Sequence, residues 1–389
     1  MKHVLVLNQY ALPRDQGGGT RHIDLFGRLG GWRALIVAGD RNHYTRKRFT
    51  TTDPHFRLLP VPAYSGNGLA RVLGLLTFAA RAFVVALRTP RVDVVYASSP
   101  QILVPLAALL AAKLRRIPFV LEVRDLWPES IVDSGLIPEN GAIHRVLGAL
   151  EGVLVRSAHG IVAVTEGWEQ HFAALGADPS RLTVIPNGTE LADFAVDPDR
   201  DALRRKHNIS GFTAVYAGAH GPKNGVEYVL SAGASLPDTT FILLGDGSSK
   251  NSLRQRATEL GLTNVQFRDP VTKQELPEVL AACDVGVHCV APFGVFEKGM
   301  SPNKLFDYIA AGLPVASNAR TALRRVVLDD EVGPFGEPDD LADCIRRVRD
   351  APTDQRERWV RHGQELIAEK YSRTAGARGL ERVLDGCLA

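Results

Sequence analysis

EKGMSPNKLFDYIAAGLPVAS, residues Glu297–Ser317, reads as one amphipathic helix punctuated at both ends and followed by a short apolar run. Ser301 suits an N-cap and Pro302 the first helical position, where no N–H is needed. Gly312 suits the left-handed position past the helix, and Pro314 stops continuation. Leu305 and Ile309 share an inward face, while Asn303, Lys304 and Asp307 share another, because residues three and four apart are neighbours. A helix, a glycine and then a strand at Val315–Ser317 make up the unit from which the rest of the chain is built.

The same alternation runs almost throughout. Apolar, β-branched runs fall at Val4–Leu7, Ala34–Val37, Val92–Ala97, Pro118–Val123, Gly160–Val164 and Leu182–Pro186. They resume at Ala214–Ala217, Thr240–Leu244, Val265–Phe267, Val285–Val290 and Val315–Ser317. Continuous apolar strands between helices predict parallel sheets covered on both faces, joined by right-handed crossovers. The turn-rich, acidic stretch PNGTELADFAVDPDRD, Pro186–Asp201, separates the two series. The fold class is therefore α/β, with two doubly wound, Rossmann-like domains facing a central cleft. The domains are residues 1–187 and 188–365, and a final helical segment, 366–389, crosses back to the first. Open sheets of this kind bind ligands beyond the C-terminal ends of their strands.

Composition narrows the classes. The chain has 389 residues, 45% hydrophobic and 23% charged, as an ordinary globular protein does. A net charge of +3 gives no case for a nucleic-acid partner. Cys283, Cys289, Cys344 and Cys387 form no C-x-x-C pair, so no zinc site or disulfide framework is indicated, and a reducing cytoplasm fits. MKHVLVLNQY reads as a buried strand rather than a signal peptide. The most apolar stretch, Leu69–Leu87, is interrupted by Arg71 and Arg81, which suits a surface helix better than a membrane span. With Arg88, Arg91 and the segment AAKLRR, Ala111–Arg116, it raises peripheral contact with anionic lipid at the inner face of the plasma membrane. The alternative is a pair of crossover helices packed on their own sheet.

Four loops carry the chemistry. Gly17, Gly18 and Gly19 precede a helix starting near Thr20, where bared N–H groups favour an anion. The dinucleotide fingerprint fits poorly: His22 stands where a glycine belongs, and Gly17 lies nine positions after Asn8. Asp40, ending the second strand, is the one residue that suits a nicotinamide cofactor. At another strand end, Arg124 and Asp125 open LEVRDLWPES, where Asp125 is placed to orient an acceptor hydroxyl or assist its deprotonation. The plainer alternative is an Arg–Asp pair at a loop start. In YAGAHGPKNGVEY, Gly218, Gly221 and Gly225 let backbone approach a ligand, and Lys223 adds charge for a diphosphate. LLGDGS, containing Gly245, is a further glycine loop after a strand. In the opening stretch, free N–H groups over Ser301, Asn303, Lys304 and Leu305 suit phosphates, and Asp307, about 7–8 Å along the axis from Pro302, suits a ribose hydroxyl. The alternative there is a capped surface helix with an i,i+3 Lys–Asp pair.

The ordered set RDLWPES, VAVTEG, VIPNGTE, YAGAHGPKNG, LLGDG and SPNKLFDYIAAGLPVAS resembles a GT-B glycosyltransferase of family 4, the retaining, nucleotide-sugar-dependent class, and its WbuB-like branch. The resemblance spans nearly the whole chain. It implies an N-terminal acceptor-binding domain, a C-terminal nucleotide-sugar-binding domain, a UDP-sugar donor and a lipid-linked glycan acceptor in surface polysaccharide synthesis. It implies no metal and no cofactor. Asp307 matches the family's ribose-gripping acid. Gly299 stands where its partner glutamate belongs, leaving Glu297 to take that place, and Ala219 stands at the usual arginine, leaving Lys223 and Lys304 to meet the diphosphate. Asn187 and Gly188 match the loop between the domains. Two rivals share the architecture: a non-hydrolysing nucleotide-sugar epimerase and a non-catalytic nucleotide-sugar-binding protein.

Overall fold

The computed structural model describes residues 1–16, 19–63, 68–196 and 199–389. The chain divides into two compact units, Met1–Pro186 with Thr374–Ala389, and Asn187–Arg373. Each is built on a parallel sheet.

The first unit holds β1 (Lys2–Leu7), β2 (Trp32–Gly39), β3 (Phe56–Leu59), β4 (Val94–Ser98), β5 (Phe119–Val123), β6 (Gly160–Ala163) and β7 (Leu182–Val184). They lie in the order β3-β2-β1-β4-β5-β6-β7. Its main helices are α1 (Arg21–Phe26), α2 (Leu69–Arg88), α3 (Leu103–Arg115) and α4 (Ala142–Ser157). Every strand named from sequence in this unit is present, shifted by a few residues at its ends. β3 was not anticipated: it is a four-residue edge strand with Arg57 in its middle, and only Leu59 is buried. An edge strand facing water on one side has no continuous apolar run to betray it. α2 is long and apolar enough to cross a membrane, yet Phe78, Ala82 and Ala86 are fully buried and it packs against α3. It is a crossover helix of the sheet.

The second unit holds β8 (Thr213–Ala217), β9 (Thr240–Leu244), β10 (Val265–Arg268), β11 (Val285–His288) and β12 (Val315–Ser317), in the order β10-β9-β8-β11-β12. Both faces are covered. Ala214, Tyr216, Phe241 and Leu243 join one core, and the alternating Val215, Ile242 and Leu244 join the other, as a doubly buried parallel sheet requires. Helices α5 (Val226–Ser235) and α6 (Asn303–Ala310) flank the centre. α6 sits so close to β11 that a Cβ on Gly286 would lie 2.4 Å from the Tyr308 ring.

α7 (Arg373–Gly386) completes the first unit. Its Leu380 and Leu384 are buried with Val4, Val6 and Ile36, and Asp385 accepts from Trp32 Nε1 at 3.0 Å. The return to the first unit begins at Thr374, not at 366, because Ile367 and Tyr371 belong to the second unit's core.

Candidate functional site

In each sheet the strand order reverses once, between β1 and β4 and between β8 and β11. Such switch points leave a crevice at the C-terminal strand ends. At the second unit's switch point, the loops after β8 and β9 interlock. Gly218 N–H donates to Leu244 O at 2.9 Å, His220 N–H to Asp246 O at 2.9 Å, and Ser249 N–H to His220 O at 2.9 Å. Gly245 makes this possible. Its φ is +150°, and a Cβ there would stand 1.9 Å from Gly218 O. Gly225, at φ +60°, closes the first loop, and a Cβ there would lie 2.4 Å from the Val290 carbonyl carbon.

α6 begins beside these loops. The expected N-cap is corrected: the helix starts at Asn303, and Pro302 is the extended residue before it, at φ −79° and ψ 128°. Ser301 is engaged elsewhere. Its Oγ accepts Asn187 N–H at 2.8 Å, and Asn187 Nδ2 donates to Ser301 O at 2.6 Å. The first N–H groups of α6 are thus left without a side-chain cap, the condition that favours an anion. The far end behaves as expected: Gly312 takes φ +77°, and Gly312 and Leu313 N–H return to Ile309 and Tyr308 carbonyls at 3.0 Å each.

Lys304 is the central side chain. Its Nζ donates to Tyr216 Oη at 2.8 Å and Asn224 Oδ1 at 3.3 Å, and lies 4.1 Å from the Tyr216 ring centroid. The absent side chain of Gly218 makes room, since a Cβ there would be 3.2 Å from Nζ. Burial pulls its pKa down to about 8. Among the described residues no carboxylate pairs with it, so the i,i+3 Lys–Asp reading does not hold. Beside it, His288 is fully buried, shares 2.9 Å with Ser317 Oγ through Nδ1, and has no partner at Nε2 among the described residues. Burial and then Lys304 press its pKa down to about 3, so it is neutral. His220 is also buried, with neither ring nitrogen partnered among the described residues.

The other expected residues are placed as follows. Lys223 sits in a 3-10 turn with its ammonium 5.3 Å from the Phe293 ring, so it is Asn224, not Lys223, that meets Lys304. Asn303 is exposed, whereas the Leu305 side chain is wholly within the core and offers a ligand only its backbone. Asp307 is half-buried. Burial pushes its pKa up to about 6, against the opposing pull of Arg373 and Thr189. Glu297 is exposed at the end of the short helix Gly294–Glu297, and Gly299 follows at φ +108°.

In the first unit, Gly19 takes φ +52°, while Gly17 and Gly18 lie outside the described residues. Arg124 and Asp125 follow β5, with both backbone N–H groups on Ser99 Oγ at 2.7 and 3.3 Å. The group that sequence reasoning missed is the buried Glu122. It accepts from Arg21 Nε at 2.8 Å and lies 3.0 Å from His22 Nε2. Burial alone would raise its pKa, yet Arg21 and His22 hold it well below the usual carboxylate range. Arg21 also donates to Ile185 O and Pro186 O at 2.7 and 2.8 Å, pinning α1 to the end of the unit. The exposed-looking pattern TRH carried no sign of this, because its partner is about a hundred residues away. Gln9, Tyr10, Gly39, Arg41 and His43 line a small depression at the C-terminal ends of β1 and β2. Burial and then Arg124 push the His43 pKa down to about 4.

Residues 27–188 match the family model of a glycosyl transferase 4-like domain, and residues 211–351 that of glycosyl transferases group 1. The chain belongs to this glycosyltransferase family, and its two Rossmann-like units have the GT-B fold. It is 26% identical over 254 residues to the protein named colanic acid biosynthesis glycosyl transferase WcaI of Escherichia coli strain K12, a stretch covering 63% of this chain and 62% of WcaI. It is 28% identical over 293 residues to the 2-deoxystreptamine glucosyltransferase of Streptomyces kanamyceticus, covering 68% of this chain and 70% of that protein. The chain thus spans less than two thirds of the length of the first of these relatives. HepE of Anabaena, solved with UDP and glucose, shares the fold at a TM-score of 0.74 and 19% identity, over 99% of this chain and 100% of that one. Sucrose-phosphate synthase of Thermosynechococcus elongatus does so at 0.76 and 17%, over 99% and 98%.

Proposed function

We propose that the protein is a retaining glycosyltransferase that moves a sugar, hexosyl or N-acetylhexosaminyl, from a UDP-sugar to an acceptor hydroxyl. The observation that carries this reading is Lys304: a half-buried ammonium at the start of α6, at a switch point, with no carboxylate partner among the described residues. A desolvated cation with only neutral partners is matched to an anionic ligand. HepE, whose fold the chain shares, was solved with UDP-glucose. The pyrophosphate sits on the uncapped N–H groups of α6 and on Lys304, with Lys223 adding charge nearby, and Asp307 takes a ribose hydroxyl. As the glycosidic bond to the leaving phosphate breaks, these groups meet the charge that develops on it. The acceptor hydroxyl attacks on the same face and passes its proton to the departing phosphate.

Leaving-group charge is thus met by a lysine and amides, without a metal or cofactor. Of the described residues, Glu129, Glu151 and His171 bring possible metal-ligand atoms within 4.8 Å of one another, but they belong to the first unit and α6 to the second. The acceptor is a lipid-linked glycan of surface polysaccharide synthesis; the name of WcaI supports only the polysaccharide part of this reading. The enzyme then works at the inner face of the plasma membrane, and the first-unit depression and Asp125 serve the acceptor.

A thermal-shift screen over UDP-, GDP-, ADP- and dTDP-sugars tests the donor, since a ligand that prefers the folded protein raises its melting point. Asp307→Ala and Lys223→Ala each lower transfer by at least roughly tenfold, about 1.4 kcal/mol of barrier, without unfolding the protein. Wild-type rates in both would end the site assignment. Donor conversion without acceptor would mark an epimerase, and donor binding that never turns over would mark a binding protein.

The pH profile follows from two groups. Lys304, protonated below about 8, holds the anion and releases it as pH rises. Asp307, ionised above about 6, accepts the ribose hydroxyl and stops doing so as pH falls. The expected profile of kcat/KM is a bell between these values, which report the free enzyme. Asp307→Asn removes the acid limb and leaves the alkaline one. A profile flat from pH 5.5 to 9 would contradict both assignments.

A further inference from the structure

We propose that Glu129, Glu151 and His171 bind a divalent transition-metal ion, and that this ion braces the loop after β5 that carries Asp125. The site lies wholly in the first unit and takes no part in the leaving-group chemistry assigned to α6. Only the acceptor role of Asp125 is carried over from the proposed function.

The three side chains come from separate segments. Glu129 belongs to LEVRDLWPES, four residues after Asp125, and opens the short helix Glu129–Asp133. Glu151 lies on the buried face of α4, with Leu154 and Val155. His171 belongs to the short helix Glu169–Ala174, after β6. Each offers a ligand atom, and these atoms all lie within 4.8 Å of one another. The group is largely enclosed. The Glu151 and His171 side chains are 8% and 12% exposed, and Glu129 Oε2 is buried.

An ordinary ion pair does not account for this group. His171 Nε2 lies 3.1 Å from Glu151 Oε1, and a charged imidazole there would satisfy one carboxylate. Glu129 is the second. It makes no hydrogen bond or ion pair among the described residues, and its buried Oε2 has no donor. Two carboxylates gathered away from water repel one another unless a cation or a proton lies between them. The imidazole selects the ion: Mg²⁺ and Ca²⁺ take oxygen ligands, whereas imidazole with carboxylates suits Zn²⁺. Tetrahedral Zn²⁺ with bonds of about 2.1 Å holds its ligand atoms about 3.4 Å apart. His171 and Glu151 are already near that spacing. Glu129, held by no partner, closes the rest by side-chain rotation. The bound ion would tie the loop after β5 to α4 and to the helix after β6, fixing the backbone just beyond Asp125.

Calorimetric titration of the metal-stripped full chain with zinc chloride tests this. The wild type is expected to bind a single tight Zn²⁺. Its melting point rises with Zn²⁺ but not with Mg²⁺ or Ca²⁺, because the ion prefers the folded protein. Amide exchange slows in peptides spanning residues 124–133. Glu129→Gln and Glu151→Gln each weaken Zn²⁺ binding at least about tenfold, since losing a ligand costs no less than losing a ligand's supporting partner. Glu129→Gln melts as the metal-stripped wild type does, so it reads the site even where Glu151→Gln misfolds. No Zn²⁺ binding by the wild type, wild-type affinity in Glu129→Gln, or exchange over residues 124–133 unchanged by Zn²⁺ overturns the proposal. An equal response to Mg²⁺ does so too, because the imidazole would then play no part. These readouts need neither donor nor acceptor, so their failure ends this site alone and leaves the transferase reading to its own assays.

Discussion

Replacing Lys304 with methionine lowers kcat/KM for the donor by about 100-fold or more while leaving the protein folded. Three observations set that size. The ammonium sits at the uncapped start of α6, it is half-buried, and its protein partners are the neutral Tyr216 and Asn224. Removing one preorganised donor from a developing oxyanion costs about 2.7–4 kcal/mol. Stability moves the other way. Below about pH 8, Lys304 is charged in both folded and unfolded chains, so the folded protein bears the full cost of burying that charge. Between about 8 and the ordinary lysine value of 10.5, the unfolded chain holds more of the proton, and the native protein regains stability as pH rises. Lys304→Met, similar in length and uncharged, is therefore expected to melt at or above the wild-type temperature at pH 7, with that advantage fading as pH rises from about 8 towards 10.5. Lost transfer together with a lowered melting point would mean that Lys304 is a structural residue.

Gly245→Ala is the second large effect, and it acts through backbone. At φ +150° a side chain is strained before any contact is counted, and the new Cβ would stand 1.9 Å from Gly218 O. A carbonyl cannot swing aside as a flexible side chain would, so the two interlocked loops must part. The expected cost is about 3 kcal/mol or more of stability, read as a lower denaturant midpoint at unchanged slope. UDP binding is lost with it, because Gly218 borders Lys304. Gly261→Ala is the control: its φ is +65°, but its Cβ meets nothing within 4 Å, so it costs about 1 kcal/mol and spares binding. Equal effects from the two substitutions would show that conformational strain, not the loop contact, matters.

Much of the architecture is legible in the residues because doubly covered strands are written as unbroken apolar runs. Val315–Ser317 and Thr240–Leu244 coincide with β12 and β9. β3 escapes because an edge strand need not be apolar. The family is legible for a different reason: many short motifs in one order identify it where no single motif does. The site is harder to read. Ser301 has the residue type of an N-cap, but its hydroxyl is taken by Asn187, 114 positions away. Lys223 and Lys304 look alike on paper as cations in ligand loops. What sets Lys304 apart is Tyr216 and Asn224, 88 and 80 positions earlier in the chain. The Arg21–His22–Glu122 cluster is hidden in the same way. Long-range pairings follow from sheet order, and no local spacing encodes them.

The most direct measurement is a crystal structure of the protein with UDP, reading where the β-phosphate lies. The account predicts its oxygens within hydrogen-bond distance of Lys304 Nζ and of the first backbone N–H groups of α6, with the ribose beside Asp307. UDP bound elsewhere, with Lys304 still closed onto Tyr216 and Asn224 and the start of α6 untouched, would contradict it.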